Sequence, residues 1–306
     1  MEDFSGKTAF ITGGASGLGL AIAKACVKEG MNVALADLRQ SAIDEALPYF
    51  AENGYNALGL QLDVTDREAY AKAADQTEAA FGNIHLLVNN AGIGCTRGPL
   101  WDVSFRETDL AIDINLTAVL NGIQIIVPRM LKHGEGGHIV STSSKAAIIP
   151  VPFCGLYNFT KQAVIAVMET LAEDLEGTNI GSSVFCPGPF KSSLGQTTVD
   201  ITEELLGEKP KDPPPMKGGK ERPSFEEIWT LTRPAEEAAE RVIRGVKRGD
   251  LYILTHSEFK EGFSARVNAM LRAFPDEPPQ EAFIKTFDFL VQNPVFDKQT
   301  QVPALQ

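Results

Sequence analysis

Tyr157 and Lys161 stand four residues apart, a spacing that puts both on one face of a helix. A phenol ordinarily titrates near pH ~10. An ammonium beside it favours the phenolate and brings it toward working pH, where it can take and return a proton. Such a pair arises often by chance, so its weight depends on where it falls. Ser144, 13 residues before Tyr157, offers a hydroxyl that could hydrogen-bond a substrate oxygen, and Ser143 competes for that role. Asn115 sits in the apolar stretch Ile114-Asn115-Leu116. Asn is a poor residue inside a helix, and a buried amide needs partners. A water leading to Lys161 would supply one.

A second constellation lies at the N-terminus, in Thr12-Gly13-Gly14-Ala15-Ser16-Gly17-Leu18-Gly19. Glycine lets the backbone turn sharply and approach a pyrophosphate, and the following helix aims its free N–H groups at that anion. Gly13, Ser16, Gly17, Leu18 and Gly19 are therefore candidate dinucleotide contacts. Asp37 ends the next apolar run. Its carboxylate can accept from both adenine-ribose hydroxyls and would repel a 2′-phosphate, which favours NAD over NADP. Arg39 leaves the choice open, as a phosphate ligand or as a solvated residue at a helix start. Asp63 and Val64 are placed to meet the adenine. Asn90, Ala91 and Gly92 offer small residues and amides to the ribose.

These residues need a frame that brings their loops together. Short apolar runs at Thr8–Thr12, Asn32–Asp37, Ala57–Leu62, Ile84–Asn89, Gly137–Ser141 and Gly181–Cys186 read as strands. Segments of helical spacing alternate with them: Gly17–Glu29, Ser41–Asn53, Asp66–Phe81, a long helix within Phe105–Lys132, and Tyr157–Leu175. This alternation predicts an α/β protein with a doubly wound parallel sheet of Rossmann type. Its ligands would bind beyond the carboxyl ends of the strands. Tyr157 then follows the fifth strand, where a nicotinamide must lie, and that position gives the Tyr/Lys pair its weight. Pro234–Arg248, a last strand at Leu251–Leu254 and a helix over Glu258–Ala273 complete the pattern. The segment 195–232 has a Pro-, Lys- and Gly-rich centre at 208–223, flanked by Ile201–Leu206 and Phe225–Leu231, which read as short helices with apolar faces. It reads as an insertion that closes over substrate. The chain 1–306 is then one domain with that lid and a C-terminal extension, 256–306.

The ordered set TGGASGLG, Asp37, Asp63-Val64, NNAG, Asn115, Ser144, Tyr157, Lys161 and Pro187-Gly188 resembles the short-chain dehydrogenase/reductase family over roughly residues 5–194. The resemblance implies a catalytic tetrad of Asn115, Ser144, Tyr157 and Lys161. It implies that Lys161 also binds the nicotinamide ribose and that Asn115 holds a water in the proton relay. Pro187 and Gly188 lead to Ser192, in the place of the family's usual Thr against the carboxamide, and Phe190 stands where Ile or Val is commoner. Helices through Asn115 and Tyr157 commonly pair two subunits in this family, which implies a homodimer or larger homo-oligomer. The tail lacks the family's VDGG segment. With MEDF…AFITGGASG and DREAYAKAAD, it is similar to bacterial Cα-dehydrogenases that oxidise benzylic alcohols of lignin-type aryl ethers.

A substrate site would be lined by Ile93, Cys95, Ser144, Lys145, Phe153, Cys154, Tyr157 and Pro189. Most are apolar, which suits a bulky hydrophobic alcohol or ketone. Lys145 either meets an acidic substrate group or reaches solvent. The net charge of −12 argues against nucleic acid as a partner. Cys26, Cys95, Cys154 and Cys186 have no framework spacing and read as buried thiols, and the four histidines show no metal-ligand spacing. The apolar runs are short and polar-flanked, which predicts no membrane span, and the acidic start is unlike a secretory signal. Cytoplasm is the expected compartment. The leading expectation is NAD-dependent oxidation of a hydrophobic, aryl secondary alcohol. The alternatives are an NADP-dependent ketone reductase and an inactive cofactor-binding homologue.

Overall fold

In the computed structural model, which describes residues 1–211, 215 and 223–301, seven strands form one parallel sheet. Most of the Pro-rich centre of the expected lid, 212–214 and 216–222, lies outside the described residues. The strands are β1 (Thr8–Thr12), β2 (Asn32–Asp37), β3 (Ala57–Gln61), β4 (Ile84–Asn89), β5 (Gly137–Thr142), β6 (Ile180–Cys186) and β7 (Tyr252–Leu254). Their order is β3-β2-β1-β4-β5-β6-β7, and every neighbouring pair is parallel. The order reverses between β1 and β4, so the loops after these strands diverge and leave a crevice at the carboxyl edge. Because β1, β4 and β5 are covered on both faces, they are buried along their whole length, which is why they appear in the sequence as continuous apolar runs.

Helices cover both faces. On one, α1 (Gly17–Lys28), α2 (Gln40–Glu52) and α10 (Ala235–Arg248) enclose a core that includes Ile22, Leu35, Phe50, Val88 and Val242. On the other, α3 (Arg67–Phe81), α5 (Ala118–His133) and α7 (Gly155–Asp174) enclose Phe10, Tyr70, Leu87, Ile126 and Met168. Asp66 caps α3, its carboxylate accepting from Glu68 and Ala69 N–H at 2.9 Å. Such a cap is worth ~1 kcal/mol.

The long helix differs from expectation. It runs as α4 (Phe105–Ile112), a π-helical turn at Asp113–Thr117, and α5, so Asn115 lies in the widened turn. Over Phe105–His133 it is also long and apolar enough to cross a membrane, contrary to the expectation from run lengths. Val119, Ile126, Val127 and Met130 pack into the sheet core, so here the apolar face serves as a core helix.

Two elements flank the crevice. The flanking helix expected at Ile201–Leu206 is longer: α8 spans Leu194–Leu206. After α9 (Phe225–Leu231), α10 and β7, the chain continues into α11 (Lys260–Leu271), α12 (Glu281–Thr286), α13 (Asp288–Val291) and α14 (Pro294–Gln301). α11 buries none of its own residues. A short helix, α6 (Lys145–Ile148), follows β5 and was not foreseen.

Candidate active site

The loops after β1, β2, β3, β4, β5 and β6 open into one cleft of about 270 Å³. At its dinucleotide end the backbone is shaped by glycine. Gly17 has φ +51°, a left-handed conformation, and a β-carbon there would stand 3.4 Å from Ser192 on the opposite wall. A β-carbon at Gly19 would stand 2.0 Å from the Gly13 carbonyl oxygen, so only glycine lets α1 pack this closely under the turn. Ser16, the N-cap of α1, makes no side-chain cap. The first N–H groups of the helix therefore face the cleft with no side-chain acceptor from the cap, as an anionic pyrophosphate requires. Thr12 ties the neighbouring loop in place: its hydroxyl accepts from Asn90 and Ala91 N–H at 2.9 and 3.1 Å.

Asp37 is buried at the end of β2, where its carboxylate accepts from Ala15 N–H at 3.3 Å and Arg39 N–H at 3.2 Å. Arg39 is not simply solvated. Its guanidinium donates to the Ser16 hydroxyl at 3.3 Å and lies 3.9 Å from Asp37, and it lines the cleft. Gly13, Ser16, Gly17, Leu18, Asp63, Val64, Asn90, Ala91, Gly92, Pro187, Gly188, Phe190 and Ser192 line it too, while Gly19 lies beneath as packing. Asp63 also closes its own turn by accepting from Thr65 N–H at 2.9 Å.

At the chemical end Ser144, Tyr157 and Lys161 all line the cleft. Ser143 and Ser144 are told apart by their bonds. The Ser143 hydroxyl is buried and donates to the Lys161 carbonyl at 2.6 Å, whereas Ser144 hydrogen-bonds the Tyr157 phenol. Burial pushes the phenol up to about 12, and the Ser144 bond works against that rise. Burial pulls the Lys161 ammonium down to about 8. Lys161 therefore still carries its charge at neutral pH, donating to Thr142 C=O at 3.0 Å, with its Nζ 5.8 Å from the Tyr157 ring centroid. That fixed positive charge opposes the cost of forming a phenolate.

Asn115 is fully buried and its amide clamps the β4 loop. It accepts from Ile93 N–H at 2.9 Å and donates to Ile93 C=O at 3.0 Å, and its amide nitrogen lies 3.4 Å from Cys95 Sγ. Protein groups thus partner this buried amide. π-turns of this kind recur at functional positions.

The expected substrate residues are only partly gathered. Ser144, Tyr157 and Pro189 line the cleft. Ile93 and Cys95 are packed away in a small core with Ala111, Ile114, Leu156 and Ile201. Phe153 and Cys95 both have positive φ, 62° and 63°, so the two loops holding them are bent by tertiary contacts rather than by glycine. Phe153 C=O accepts from Gly98 N–H at 2.9 Å. Cys154 is the N-cap of α7 and only partly buried, unlike the other three thiols. Lys145 is also partly buried, and its N–H donates to Pro187 C=O at 2.9 Å. Missed in the sequence were Thr12 and Ser193, whereas Leu194, Thr197 and Ile201 line the cleft at the start of the segment expected to close over it. Thr12 lies in the glycine string, but nothing local marks the α8 residues. α8 is fastened by Thr198, whose hydroxyl accepts from Gly94 N–H at 2.7 Å, and by Arg106, which donates to Leu205 C=O at 3.1 Å. Thr255 and His256 were missed as well: Gly188 N–H donates to Thr255 Oγ1 at 2.9 Å, and the Phe190 and His256 rings meet edge-on at 5.2 Å.

A glycine-shaped anion cradle, an acid at the end of β2 and a Ser-Tyr-Lys set across the switch point define a dinucleotide-dependent oxidoreductase. The profile of the short chain dehydrogenase family matches residues 7–202, and the chain belongs to that family. It is 35% identical to the Cα-dehydrogenase of Sphingobium sp. over 272 residues, 89% of this chain and 87% of that protein. A short-chain dehydrogenase/reductase of Burkholderia phymatum solved with NAD aligns with TM-score 0.77 at 28% identity, covering 92% of this chain and all of that one. A short-chain dehydrogenase of Burkholderia cenocepacia solved with NADP aligns with TM-score 0.65 at 27% identity, covering 82% and 96%. This chain is accordingly an oxidoreductase acting on CH–OH donors with a nicotinamide cofactor. Gly13, Gly17 and the α1 N-terminus would hold its pyrophosphate, and Lys161 its nicotinamide ribose. When bound, the cofactor supplies the hydride acceptor and a positive ring. Ser144 would then orient the carbinol oxygen, Tyr157 would take its proton at the phenol oxygen, and Lys161 would keep the phenolate stable.

Proposed function

We propose that this protein is an NAD-dependent dehydrogenase that oxidises a hydrophobic, aryl secondary alcohol to its ketone. The observation that carries the choice of NAD is Asp37: a buried carboxylate at the end of β2, held by the N–H groups of Ala15 and Arg39 and open to the cleft. A 2′-phosphate there would face this anion in a desolvated position. Support for the aryl alcohol comes from the likeness to the Cα-dehydrogenase over 89% of the chain. The apolar Leu194 and Ile201 of α8, which line the cleft, agree with a bulky substrate. We assign to 195–232 the role of a lid over the substrate, with α8 as its hinge side, and to the outer faces of α4, α5 and α7 the pairing of two subunits.

Arg39 favours a second reading, an NADP-dependent ketone reductase. Its guanidinium spans Ser16 and Asp37 at the cleft and could turn to a 2′-phosphate. The deciding experiment is steady-state turnover of 1-phenylethanol, a hydroxysteroid and a polyol with each cofactor. The proposal expects the highest kcat/KM for the aryl alcohol with NAD, by at least about tenfold over NADP. Higher kcat/KM with NADP would establish the reductase reading, and preference for the polyol would remove the aryl substrate.

A further inference from the structure

Lys145 follows Ser144 directly, so its side chain leaves the chain one residue from the hydroxyl that meets the carbinol oxygen. Its ammonium is partly buried and lies 5.4 Å from the centroid of the Phe259 ring. Among the described residues no carboxylate pairs with it, although the chain carries 40 acidic residues. A lysine with no task at this position would extend into solvent, because withdrawing an unpaired charge from water costs free energy. Burial lowers its pKa, and the group near enough to counter this electrostatically is the Cys154 thiol, three residues before Tyr157. The ammonium is thus set between the loop that leads into α7 and the C-terminal extension.

The extension is built onto this spot. Arg266 on α11 donates to Ala147 C=O at 2.7 Å and Ile148 C=O at 2.9 Å, closing the last turn of the helix that begins at Lys145. A β-carbon at Gly262 would stand 2.7 Å from Ile149, so α11 approaches closely there. Phe259 stacks near His256, which itself packs against Gly188 and Phe190 beside the nicotinamide loop. α11 is otherwise exposed, and these contacts fix Phe259 as an aromatic wall next to a cation.

We propose that Lys145 and Phe259 form a subsite for an anionic oxygen substituent, such as a ring carboxylate, on the aryl alcohol. The ring lies against Phe259 and the anion meets the Lys145 ammonium, both outside the residues that line the cleft, and the carbinol carbon reaches inward to Ser144 and Tyr157. This deepens the reading given under Proposed function and rests on it. The pairing would be charge-assisted and partly desolvated, a setting in which such bonds are strong.

The test compares 4-(1-hydroxyethyl)benzoate with neutral 1-phenylethanol in the parent, Lys145→Met and Lys145→Arg. The expected result is a parent preference for the benzoate of about tenfold or more in kcat/KM, a fall of that ratio toward one in Lys145→Met, and its recovery in Lys145→Arg. In parallel, calorimetry on NAD-loaded protein compares benzoate with benzamide, and the parent should bind benzoate more tightly while Lys145→Met should not. A substrate ratio that Lys145→Met leaves unmoved, or equal binding of benzoate and benzamide to the parent, overturns the subsite. Tighter benzoate binding in a protein that turns over neither alcohol keeps the subsite and overturns the alcohol reading instead.

Discussion

The two ends of the cleft are made of different materials. At the dinucleotide end the groups facing the cleft are main-chain N–H groups on a glycine-shaped turn, with Asp37 as the side chain we propose to be selective. At the carbinol end they are side-chain atoms: one hydroxyl, one phenol and one ammonium, each held by named bonds. The first end should tolerate most single substitutions that leave the turn intact, whereas the second should lose its chemistry with single atoms. Outside both lies a rim of α8, α9 and the C-terminal extension. It is held by a few hydrogen bonds and exposes large apolar side chains such as Trp229, Leu231 and Phe274.

The sharpest expected break is at the chemical end. Tyr157→Phe removes the proton acceptor and keeps the ring, so kcat should fall at least ~10²-fold while NAD affinity, measured by fluorescence titration, stays close to the parent. Equal loss of both would mean that the two ends are not separable. Lys161→Met should act through the same phenol. Without the ammonium, burial is opposed at the phenol by the Ser144 bond alone, so the pH profile of alcohol oxidation should move upward by ~1 unit or more. A profile that stays in place would assign the titration to another group.

At the dinucleotide end Asp37→Ala should raise the ratio of kcat/KM for NADP over NAD by about tenfold, by removing the repelling carboxylate and freeing Arg39. An unchanged ratio would mean that selectivity lies elsewhere in the turn.

The same contrast explains what the sequence showed. Strands β1, β2 and β4 were legible to the residue because buried parallel strands are unbroken apolar runs, and the glycine turn was legible because its backbone conformation admits few residues. Tyr157, Lys161 and Ser144 were readable only through their position in that frame. The first two turns of α8 were not readable: Leu194-Gly195-Gln196-Thr197-Thr198 has no apolar periodicity, and the helix is held there by the bond from Gly94. The π-turn at Asn115 follows from a clamp on Ile93 that is distant in sequence. Ile93 and Cys95 have the apolar character of a substrate wall and are used as core, a distinction that composition does not carry.

The rim should respond more weakly. Thr198→Ala leaves Gly94 N–H without its acceptor, a cost of ~1–3 kcal/mol at most, and should raise KM for the alcohol a few-fold. With NAD and substrate bound, hydrogen exchange should slow most over 224–232, since 194–206 is already fastened. If neither segment changes, the rim is no lid. The smallest effect on turnover should come from subunit contacts. Phe159→Glu and Leu131→Glu, on exposed faces of α7 and α5, should shift a homodimer toward monomer in sedimentation. A parent that sediments as monomer would remove the pairing.

The most direct test of the whole account follows the hydrogen itself. 1-Phenylethanol carrying deuterium on the carbinol carbon is incubated with the protein and NAD, and the reduced cofactor is weighed by mass spectrometry. The account predicts one deuterium in each reduced cofactor, acetophenone in equal amount, and neither product with Tyr157→Phe on the same timescale. Reduced cofactor without the label, or label transferred undiminished by Tyr157→Phe, would contradict it.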